Sequence, residues 1–440
     1  IVWGDLMNYE DVLKCVQGAD YVLHVGGMVS PECDNYPHTT LKVNVEITKN
    51  IVNAIKEQPN QDEIALVYIG SIAQTGHRSV PYHWGRIGDP IYPSIYDHYA
   101  LSKIIAERIV VESGLKKWVS LRQSGILYTD LILKGLNSII FHIPFDSVIE
   151  WANLEDSGRL LANVCEDNVP SEFWNRAYNI SSGPSYRMTF NEFIRKLLQM
   201  TYSPPPEKIF NLNWFALRNF HCYWYSDSDV LENYLHFRVG IDCNDYFEKI
   251  RKELPWYFKL VKILPAFVIK IVMRYMVYYS KNGTMYWIKN QNKQRISAYF
   301  GSYEKWKNIP TWETYTPAEP KNEPIILHHG YDESKPSTEW EINDMQQAAA
   351  FRGGKCLSVN MQKGDVNTAL EWECQFGHRF KASPTLILGC GHWCPDCLPL
   401  PYNFDAIAKG NPFFAQVWYN SHDKDENNVY DSSIFDEWEN

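Results

Sequence analysis

Short apolar runs alternate with amphipathic segments along the first part of the chain, and this alternation constrains the fold more than any other feature. The runs 19–25 and 64–69 have strand length and lead directly into glycine. The segments 9–16 and 39–56 repeat apolar residues at helical spacing. Strands that alternate with helices form a parallel sheet with helices on both faces. We therefore predict an α/β fold with a doubly wound parallel sheet.

One predicted helix carries two residues that could form an acid–base pair. Tyr99 and Lys103 lie four residues apart, which places both side chains on one helix face. An ammonium group beside a phenol favours the ionised phenol, so we expect Lys103 to lower the pKa of Tyr99. Such pairs also occur on many solvated helix faces. However, Ser71 follows the strand before this helix, and ligands of open α/β sheets bind at the carboxyl ends of strands. We expect Ser71 and Tyr99 to share one crevice.

With Asn44 upstream, these residues give the chain a family resemblance. Asn44, Ser71, Tyr99 and Lys103 match the catalytic set of the short-chain dehydrogenase/reductases, in the spacing of the extended, epimerase-like branch. The resemblance implies that Tyr99 exchanges a proton with a substrate oxygen that Ser71 also binds. It further implies that Lys103 binds the nicotinamide ribose and that Asn44 holds the backbone and a water near this lysine.

The same resemblance implies a nicotinamide cofactor, NAD or NADP. Asp5 and Leu6 match the family position that meets the adenine ring, although a plain turn aspartate is the alternative for Asp5. Gly26 and Gly27 match the strand end that contacts the cofactor's phosphate and ribose. The first residue is Ile1, and no G-x-x-G-x-x-G turn precedes Asp5. We therefore expect a Rossmann-type domain that lacks its N-terminal Gly-rich unit.

The residues after Ser71 bear on the reaction type. In sugar dehydratases of this family, Asp and Glu directly follow the active hydroxyl residue, whereas this chain has Ile72 and Ala73. Dehydration is therefore disfavoured. The remaining reactions are oxidation or reduction of a carbonyl/alcohol pair and epimerisation through a transient ketone. The predicted substrate is a small molecule, with a nucleotide sugar as one candidate.

A second predicted module binds metal. Cys374 and His378 form one pair, and Cys394 and Cys397 form a Cys-x-x-Cys pair. Four nitrogen and sulfur ligands suit a closed, tetrahedral structural zinc site. The segment resembles treble-clef or zinc-ribbon modules, which have a Trp-x-Cys-x-x-x-His core and a Cys-Pro-x-Cys close. We therefore predict one structural zinc ion.

Three further residues near this set are predicted to have other roles. Cys356 is predicted to be a core thiol and is the chief alternative to His378 as a ligand. Cys390 is predicted to be a loop thiol, and His392 a surface imidazole. None of the three is expected to bind the metal.

The chain is too long for one ordinary domain, since it has 440 residues. We predict five segments. They are an NAD(P)-binding Rossmann-like domain (1–145), a substrate lobe with a helical extension (146–309), a linker (310–339), the zinc module (340–400) and an acidic tail (401–440).

Composition limits the partners. The formal charge of −10 argues against a general nucleic-acid binder, although the zinc module leaves that option open. No apolar run is long enough for a transmembrane segment and no signal peptide is recognisable, so we predict a cytoplasmic protein. A homodimer is implied by the family resemblance. Two alternatives remain: a zinc-dependent interaction protein whose dehydrogenase-like half only binds a ligand, and a nucleic-acid-associated protein.

The segment 255–279 is apolar and basic. It is interrupted at Pro265, and its apolar residues alternate with four basic ones, namely Lys259, Lys262, Lys270 and Arg274. We favour packing across the substrate lobe, with the lysines reaching solvent. Binding to a membrane surface or to a partner is the alternative.

Overall fold

The computed structural model describes residues 1–29, 32–134 and 137–435. The described α-helices are α1 (Tyr9–Val16), α2 (Pro37–Lys56), α3 (His98–Val111), α4 (Thr129–Lys134), α5 (Leu154–Asn163), α6 (Phe190–Met200), α7 (Pro206–Ile209), α8 (Ser228–Leu235), α9 (Cys243–Glu253), α10 (Ala266–Tyr279), α11 (Thr284–Lys289), α12 (Lys293–Phe300), α13 (Tyr303–Lys307), α14 (Ile342–Phe351), α15 (Phe404–Gly410) and α16 (Pro412–Trp418). The described strands are β1 (Tyr21–His24), β2 (Ala65–Ser71), β3 (Trp84–Gly85), β4 (Trp118–Gln123), β5 (Ile126–Leu127), β6 (Val148–Glu150), β7 (Ala152–Asn153), β8 (Arg176–Ile180), β9 (Arg187–Thr189), β10 (Trp224–Tyr225), β11 (Lys355–Cys356), β12 (Leu370–Glu373) and β13 (Arg379–Ala382).

The central sheet contains four parallel strands in the order β1-β2-β4-β8. Strand β2 lies inside it, and its residues from Ala65 to Tyr68 are fully buried. A strand buried on both faces needs a continuous apolar run, which is what the sequence provides there. The predicted α/β fold with a Rossmann-like parallel sheet is confirmed.

Two predicted elements differ from the structure in their bounds. The predicted helix 39–56 begins earlier, at Pro37, because proline fits the first turn of a helix, where no intrahelical N–H bond is needed. The sequence also predicts one strand over 118–127, but the structure divides it into β4 and β5, and β5 pairs with β7 instead of the central sheet. A Cβ atom at Gly125 would lie only 2.6 Å from the ring of Trp151. The indole therefore packs directly on the backbone where the strand divides.

The predicted substrate lobe has an aromatic core that extends into the C-terminal residues. Phe404, Phe414 and Trp418 of α15 and α16 are buried there, and Tyr92 packs edge-on against Phe414 with ring centroids 4.8 Å apart. Tyr430 forms an antiparallel bridge with Tyr402. Much of the segment 401–440, which the sequence predicts to be an acidic tail, is therefore folded, because its aromatic side chains are buried in this core. Residues 436–440 of the predicted tail lie outside the described residues.

The predicted zinc module consists of α14 and the antiparallel sheet β11-β12-β13. It shares one buried apolar cluster with the first domain, in which Trp372 and Leu386 join Val110 and Trp118. The preceding segment is also anchored, since His329 is buried and its Nε2 lies 2.8 Å from Asp89 Oδ1. No helix within the described ranges is both long and apolar enough to cross a bilayer.

Candidate functional site

Ser71 and Tyr99 meet at the carboxyl end of β2. Ser71 is the last residue of that strand, and its hydroxyl accepts a hydrogen bond from the Ala73 amide at 3.2 Å. Tyr99 is the second residue of α3, and its phenol is hydrogen-bonded to the Ser71 side chain. Burial raises the pKa of Tyr99 to about 12, although the hydrogen bond with Ser71 acts in the opposite direction. The phenol is therefore protonated at neutral pH.

Lys103 lies one helical turn after Tyr99, but it does not lower the pKa of the phenol as the sequence led us to expect. Its ammonium donates a hydrogen bond to the Ile69 carbonyl at 2.9 Å and lies 5.9 Å from the centre of the Tyr99 ring. Burial lowers the pKa of Lys103 itself to about 8. The expectation was wrong because both groups are buried, and burial opposes the charged form of each.

The burial of Lys103 predicts a pH-dependent stability. Its pKa is about 8 in the folded protein and 10.5 in an unfolded chain. Between these values the unfolded state binds more protons, so the free energy of unfolding rises with pH. Relative to Lys103→Met, the wild type should gain about 3 kcal/mol between pH 7 and about 11. Urea unfolding of both proteins across this range tests this, and a pH-independent difference would contradict it.

Asn44 fixes the backbone beyond β1. Its side chain accepts a hydrogen bond from the Met28 amide at 2.8 Å and donates one to the Met28 carbonyl at 3.0 Å. It also donates to the Ser102 hydroxyl at 2.9 Å, which ties this backbone to α3. A Cβ atom at Gly27 would lie 3.0 Å from Asn44 Oδ1 and 3.9 Å from Lys103 Nζ. The structure therefore brings Gly27, Asn44 and Lys103 together.

The remaining residues predicted to bind cofactor lie beside them at the same edge. Asp5 lies in the turn before α1, where its carboxylate accepts a hydrogen bond from the Met7 amide at 2.9 Å. The Leu6 carbonyl accepts one from the Asn50 side chain at 2.9 Å. A Cβ atom at Gly26 would lie 3.0 Å from a Leu6 methyl group. Asp5 and Leu6 are both exposed next to the end of β1.

Tyr99 lines a cavity of about 120 Å³ between α3 and the substrate lobe. Three histidines also line it, and burial lowers the pKa of His98 and of His142 to about 4. The third, His221, lies 3.3 Å from the Asp97 carboxylate. Apart from His98, these residues come from segments far from Tyr99 in the chain. No motif or spacing could have assigned His142 or His221 to this cavity.

A buried ionic cluster attaches α3 to the C-terminal module. Glu107 accepts hydrogen bonds from Ser120 at 2.6 Å and from Arg122 at 2.5 Å, and His392 Nε2 lies 2.8 Å from the same carboxylate. Arg122 also donates to the Cys390 carbonyl at 2.8 Å. Burial opposes ionisation of Glu107, but Arg122 and His392 outweigh it and hold the pKa of Glu107 well below its usual range. The predicted surface position of His392 was wrong, because its ring is the partner of a buried carboxylate.

Glu107→Gln is expected to lower the free energy of unfolding by about 3–5 kcal/mol, since it leaves Arg122 buried without a counter-charge. Denaturant unfolding measures the effect. The control is Glu207→Gln, which removes the partner of Arg195 in an ion pair whose side chains are 38% and 43% exposed. That change should cost less than about 1 kcal/mol. Equal effects of the two substitutions would contradict the importance of the buried cluster.

The four predicted metal ligands converge between two turns. Cys374 directly follows β12, His378 directly precedes β13, and Cys394 and Cys397 flank the short turn after them. The four ligand atoms all lie within 4.8 Å of one another. Hydrogen bonds, first from Cys397 and then from His378, lower the pKa of the Cys394 thiol.

The other candidate ligands lie outside this group. Cys356 is on β11, and its thiol lies 3.9 Å from the Ser358 carbonyl oxygen. Cys390 is buried beside Arg122. Within the described ranges, the group of side chains that could hold a metal therefore contains His378 and not Cys356.

Comparisons with known proteins concern mainly the first domain. Residues 1–122 match the sequence model of the NAD dependent epimerase/dehydratase family. The 3 beta-hydroxysteroid dehydrogenase type 7 of Mus musculus is 30% identical over 119 residues, which are 26% of this chain and 31% of that protein. Its counterpart from Rattus norvegicus is 31% identical over 130 residues, which are 29% and 37% of the two chains. The chain thus spans about a third of the length of these curated relatives.

The solved structures that resemble this chain are more distant in sequence. UDP-glucuronic acid 4-epimerase from Bacillus cereus, solved with UDP-glucuronic acid and NAD, matches with a TM-score of 0.43 and 14% identity. The match covers 59% of this chain and 81% of that chain. All eight residues that the family resemblance assigned to catalysis or cofactor binding lie within residues 1–122, the segment similar to the NAD dependent epimerase/dehydratase family.

Proposed function

We propose that the protein is an NAD(P)-dependent oxidoreductase or epimerase that acts on a hydroxyl or carbonyl carbon of a small molecule. The observation that carries this proposal is the arrangement of Ser71, Tyr99 and Lys103 at the carboxyl end of β2, next to a cavity. The family match of residues 1–122 supports the same activity.

The residues around β1 fit a dinucleotide. A Cβ atom at Gly26 would lie 3.0 Å from Leu6, and one at Gly27 would lie 3.0 Å from Asn44. Because both residues lack a side chain, a ligand can approach their backbone closely. We propose that Asp5 and Leu6 contact the adenine ring, that Gly26 and Gly27 contact phosphate and ribose, and that Lys103 binds the nicotinamide ribose. Bound NAD or NADP supplies the hydride acceptor or donor.

Tyr99 is the proposed acid and base. Its protonated phenol can donate a proton to a substrate carbonyl oxygen during reduction, and the phenolate accepts that proton back during oxidation. Ser71 is hydrogen-bonded to Tyr99 and can bind the same oxygen. Asn44 acts as a positioning residue, because it holds the backbone at Met28 and contacts Ser102 on the same helix as Tyr99.

For the substrate we propose a chemical class. Ile72 and Ala73 are buried directly after Ser71, so no carboxylate follows the active hydroxyl as in the dehydratases. The curated relatives are named as 3 beta-hydroxysteroid dehydrogenases, and one solved structure is an epimerase with UDP-glucuronic acid. We propose a secondary alcohol or its ketone, with a 3β-hydroxysteroid and a nucleotide sugar as the first two candidates.

The test is an assay of the full-length protein with NAD⁺ or NADP⁺ and each candidate substrate. Oxidation is followed by the absorbance of the reduced nicotinamide, and epimerisation by chromatography of the products. Turnover that requires both cofactor and substrate supports the proposal. If calorimetry detected binding of neither NAD⁺ nor NADP⁺, the proposed activity would be overturned in favour of a dehydrogenase-like domain with an interaction role. A homodimer is also proposed from the family resemblance, and light scattering of the same sample tests it.

We infer that the C-terminal cluster of Cys374, His378, Cys394 and Cys397 holds one structural zinc ion. The support is the convergence of four sulfur and nitrogen atoms at the turns of a small antiparallel sheet. A role of this module in nucleic-acid association is the less favoured alternative, given the net charge of −10. Binding to DNA or RNA that weakens as the salt concentration rises would support the nucleic-acid alternative.

A further inference from the structure

We propose that the surface formed by residues 256–279 binds the face of an anionic phospholipid bilayer. This surface, called the 256–279 surface below, consists of the 3₁₀ helix Trp256–Ile263 and of α10. The proposal rests on its exposed apolar area, on its charge and on its dimensions.

The 256–279 surface exposes a continuous apolar row. Phe267, Ile271, Tyr275 and Tyr279 follow one another at four-residue spacing along α10, and each is between 61% and 66% exposed. Such spacing places them on one helix face. In the described residues, 29 large apolar side chains are exposed, and ten of them lie in this segment of 24 residues. Exposed apolar patches that are continuous in this way mark contact sites for other molecules or membranes.

The opposite face of α10 fixes the helix on the protein. Ile269, Met273 and Val277 are buried in the aromatic core of the substrate lobe. The predicted packing of this segment across the lobe is therefore correct for one face of α10. The other face, with the row Phe267 to Tyr279, is held outward by that packing.

The segment that carries this surface contains basic residues and no acidic ones. Between Leu254 and Tyr303 the chain has no Asp or Glu, although its net charge is −10. The same interval contains eight basic residues. Arg295 is buried, and the other seven are Lys259, Lys262, Lys270, Arg274, Lys281, Lys289 and Lys293. Apolar residues surrounded by lysine and arginine are complementary to a bilayer with anionic headgroups. Trp256, Tyr275 and Tyr279 add the aromatic residues that favour the headgroup region.

The dimensions favour binding on the bilayer instead of across it. The helix α10 has 14 residues, which corresponds to about 21 Å, whereas the hydrocarbon core is about 30 Å thick. From Tyr279 the chain passes within three residues to Asn282, which lines the cavity of Tyr99. A bilayer at the 256–279 surface would therefore lie next to one wall of the candidate active site.

The experiment is flotation of the full chain with vesicles. Wild-type protein should bind vesicles made from equal parts of phosphatidylcholine and phosphatidylserine, and bind pure phosphatidylcholine vesicles less. Phe267→Glu combined with Ile271→Glu should lower the partition coefficient at least about tenfold, because two charges would enter the apolar interface. Lys259→Gln combined with Lys262→Gln should lower the preference for phosphatidylserine by about tenfold.

The matched control introduces the same charges elsewhere. Val359→Glu combined with Val429→Glu changes two side chains that are 77% and 52% exposed and lie outside the 256–279 surface. This variant should bind vesicles as the wild type does, and equal loss of binding would overturn the proposal. Wild-type protein that binds neither kind of vesicle would also overturn the proposal. The wild type could instead bind no vesicles and form a dimer that the combined Phe267→Glu and Ile271→Glu substitutions dissociate. That result would assign the surface to a second copy of the chain.

Discussion

Replacing Tyr99 by phenylalanine is expected to lower kcat by about 10²–10⁴-fold, the usual contribution of a positioned acid or base. The substitution removes only the transferable proton and its hydrogen bond with Ser71. The phenylalanine ring keeps the packing of α3, so the fold and cofactor affinity should remain nearly unchanged. The measurement is steady-state turnover with the best substrate from the assay, together with cofactor titration of the same sample.

Three further variants distinguish a chemical role of Tyr99 from a structural one. Ser71→Ala should cost less than Tyr99→Phe, because the phenol still reaches the substrate oxygen. Lys103→Ala should weaken cofactor binding as well as turnover. Tyr68→Phe is the matched control, since the Tyr68 ring also lies near Lys103, 5.2 Å from its ammonium, but its hydroxyl donates to a backbone carbonyl. Full activity of Tyr99→Phe would contradict the proposed mechanism.

The central fold could be predicted from the sequence because its signals are local. A strand buried on both faces must be apolar along its length, and β2 shows this directly. The convergence of Ser71 and Tyr99 follows from the same topology, because both lie at the carboxyl end of one strand and the start of the next helix. The convergence of Cys374, His378, Cys394 and Cys397 was also predictable, since turn-flanking Cys and His pairs have characteristic spacings.

The contacts between distant segments could not be predicted. Glu107, Arg122 and His392 are ordinary charged or polar residues in the sequence, and only their burial in one cluster shows their importance. The pKa of Tyr99 was predicted in the wrong direction because pairwise spacing suggests a charge effect but carries no information about burial. Likewise, the sequence could not decide which face of α10 would be exposed.

The packing of the C-terminal module on α3 connects the two candidate sites physically. Arg108 donates a hydrogen bond to the Trp393 carbonyl at 3.2 Å, and Trp393 directly precedes Cys394. Glu107, which precedes Arg108, and His392, which precedes Trp393, make a second contact. The segment that carries two of the proposed metal ligands is therefore attached to the helix that carries Tyr99 and Lys103. A defect in the metal site should consequently destabilise α3 as well as the module.

The purified full-length protein is expected to contain one zinc ion per chain, and removing this ion should cost several kcal/mol of stability. Structural zinc contributes about 10–16 kcal/mol of apparent binding energy in small peptides, although the shared core here reduces the dependence on metal. A tetrahedral site with zinc–sulfur bonds of about 2.3 Å places neighbouring sulfurs about 3.8 Å apart. Cys374 and Cys397 have their sulfurs 3.9 Å apart, close to this value.

His378 supplies the most discriminating variant of this zinc site. Its Nδ1 lies 3.5 Å from Cys394 Sγ and 3.3 Å from Cys397 Sγ, as expected for a fourth ligand. His378→Ala should lose most of the zinc and lower the melting temperature, whereas Cys356→Ala should keep one zinc ion per chain. Elemental analysis and thermal unfolding with and without a chelator measure both effects. Because four protein ligands would leave no open position for water, we expect the proposed ion to take no part in the proposed hydride chemistry. Undiminished zinc in His378→Ala would refute the ligand assignment, and a wild type without bound metal would refute the site.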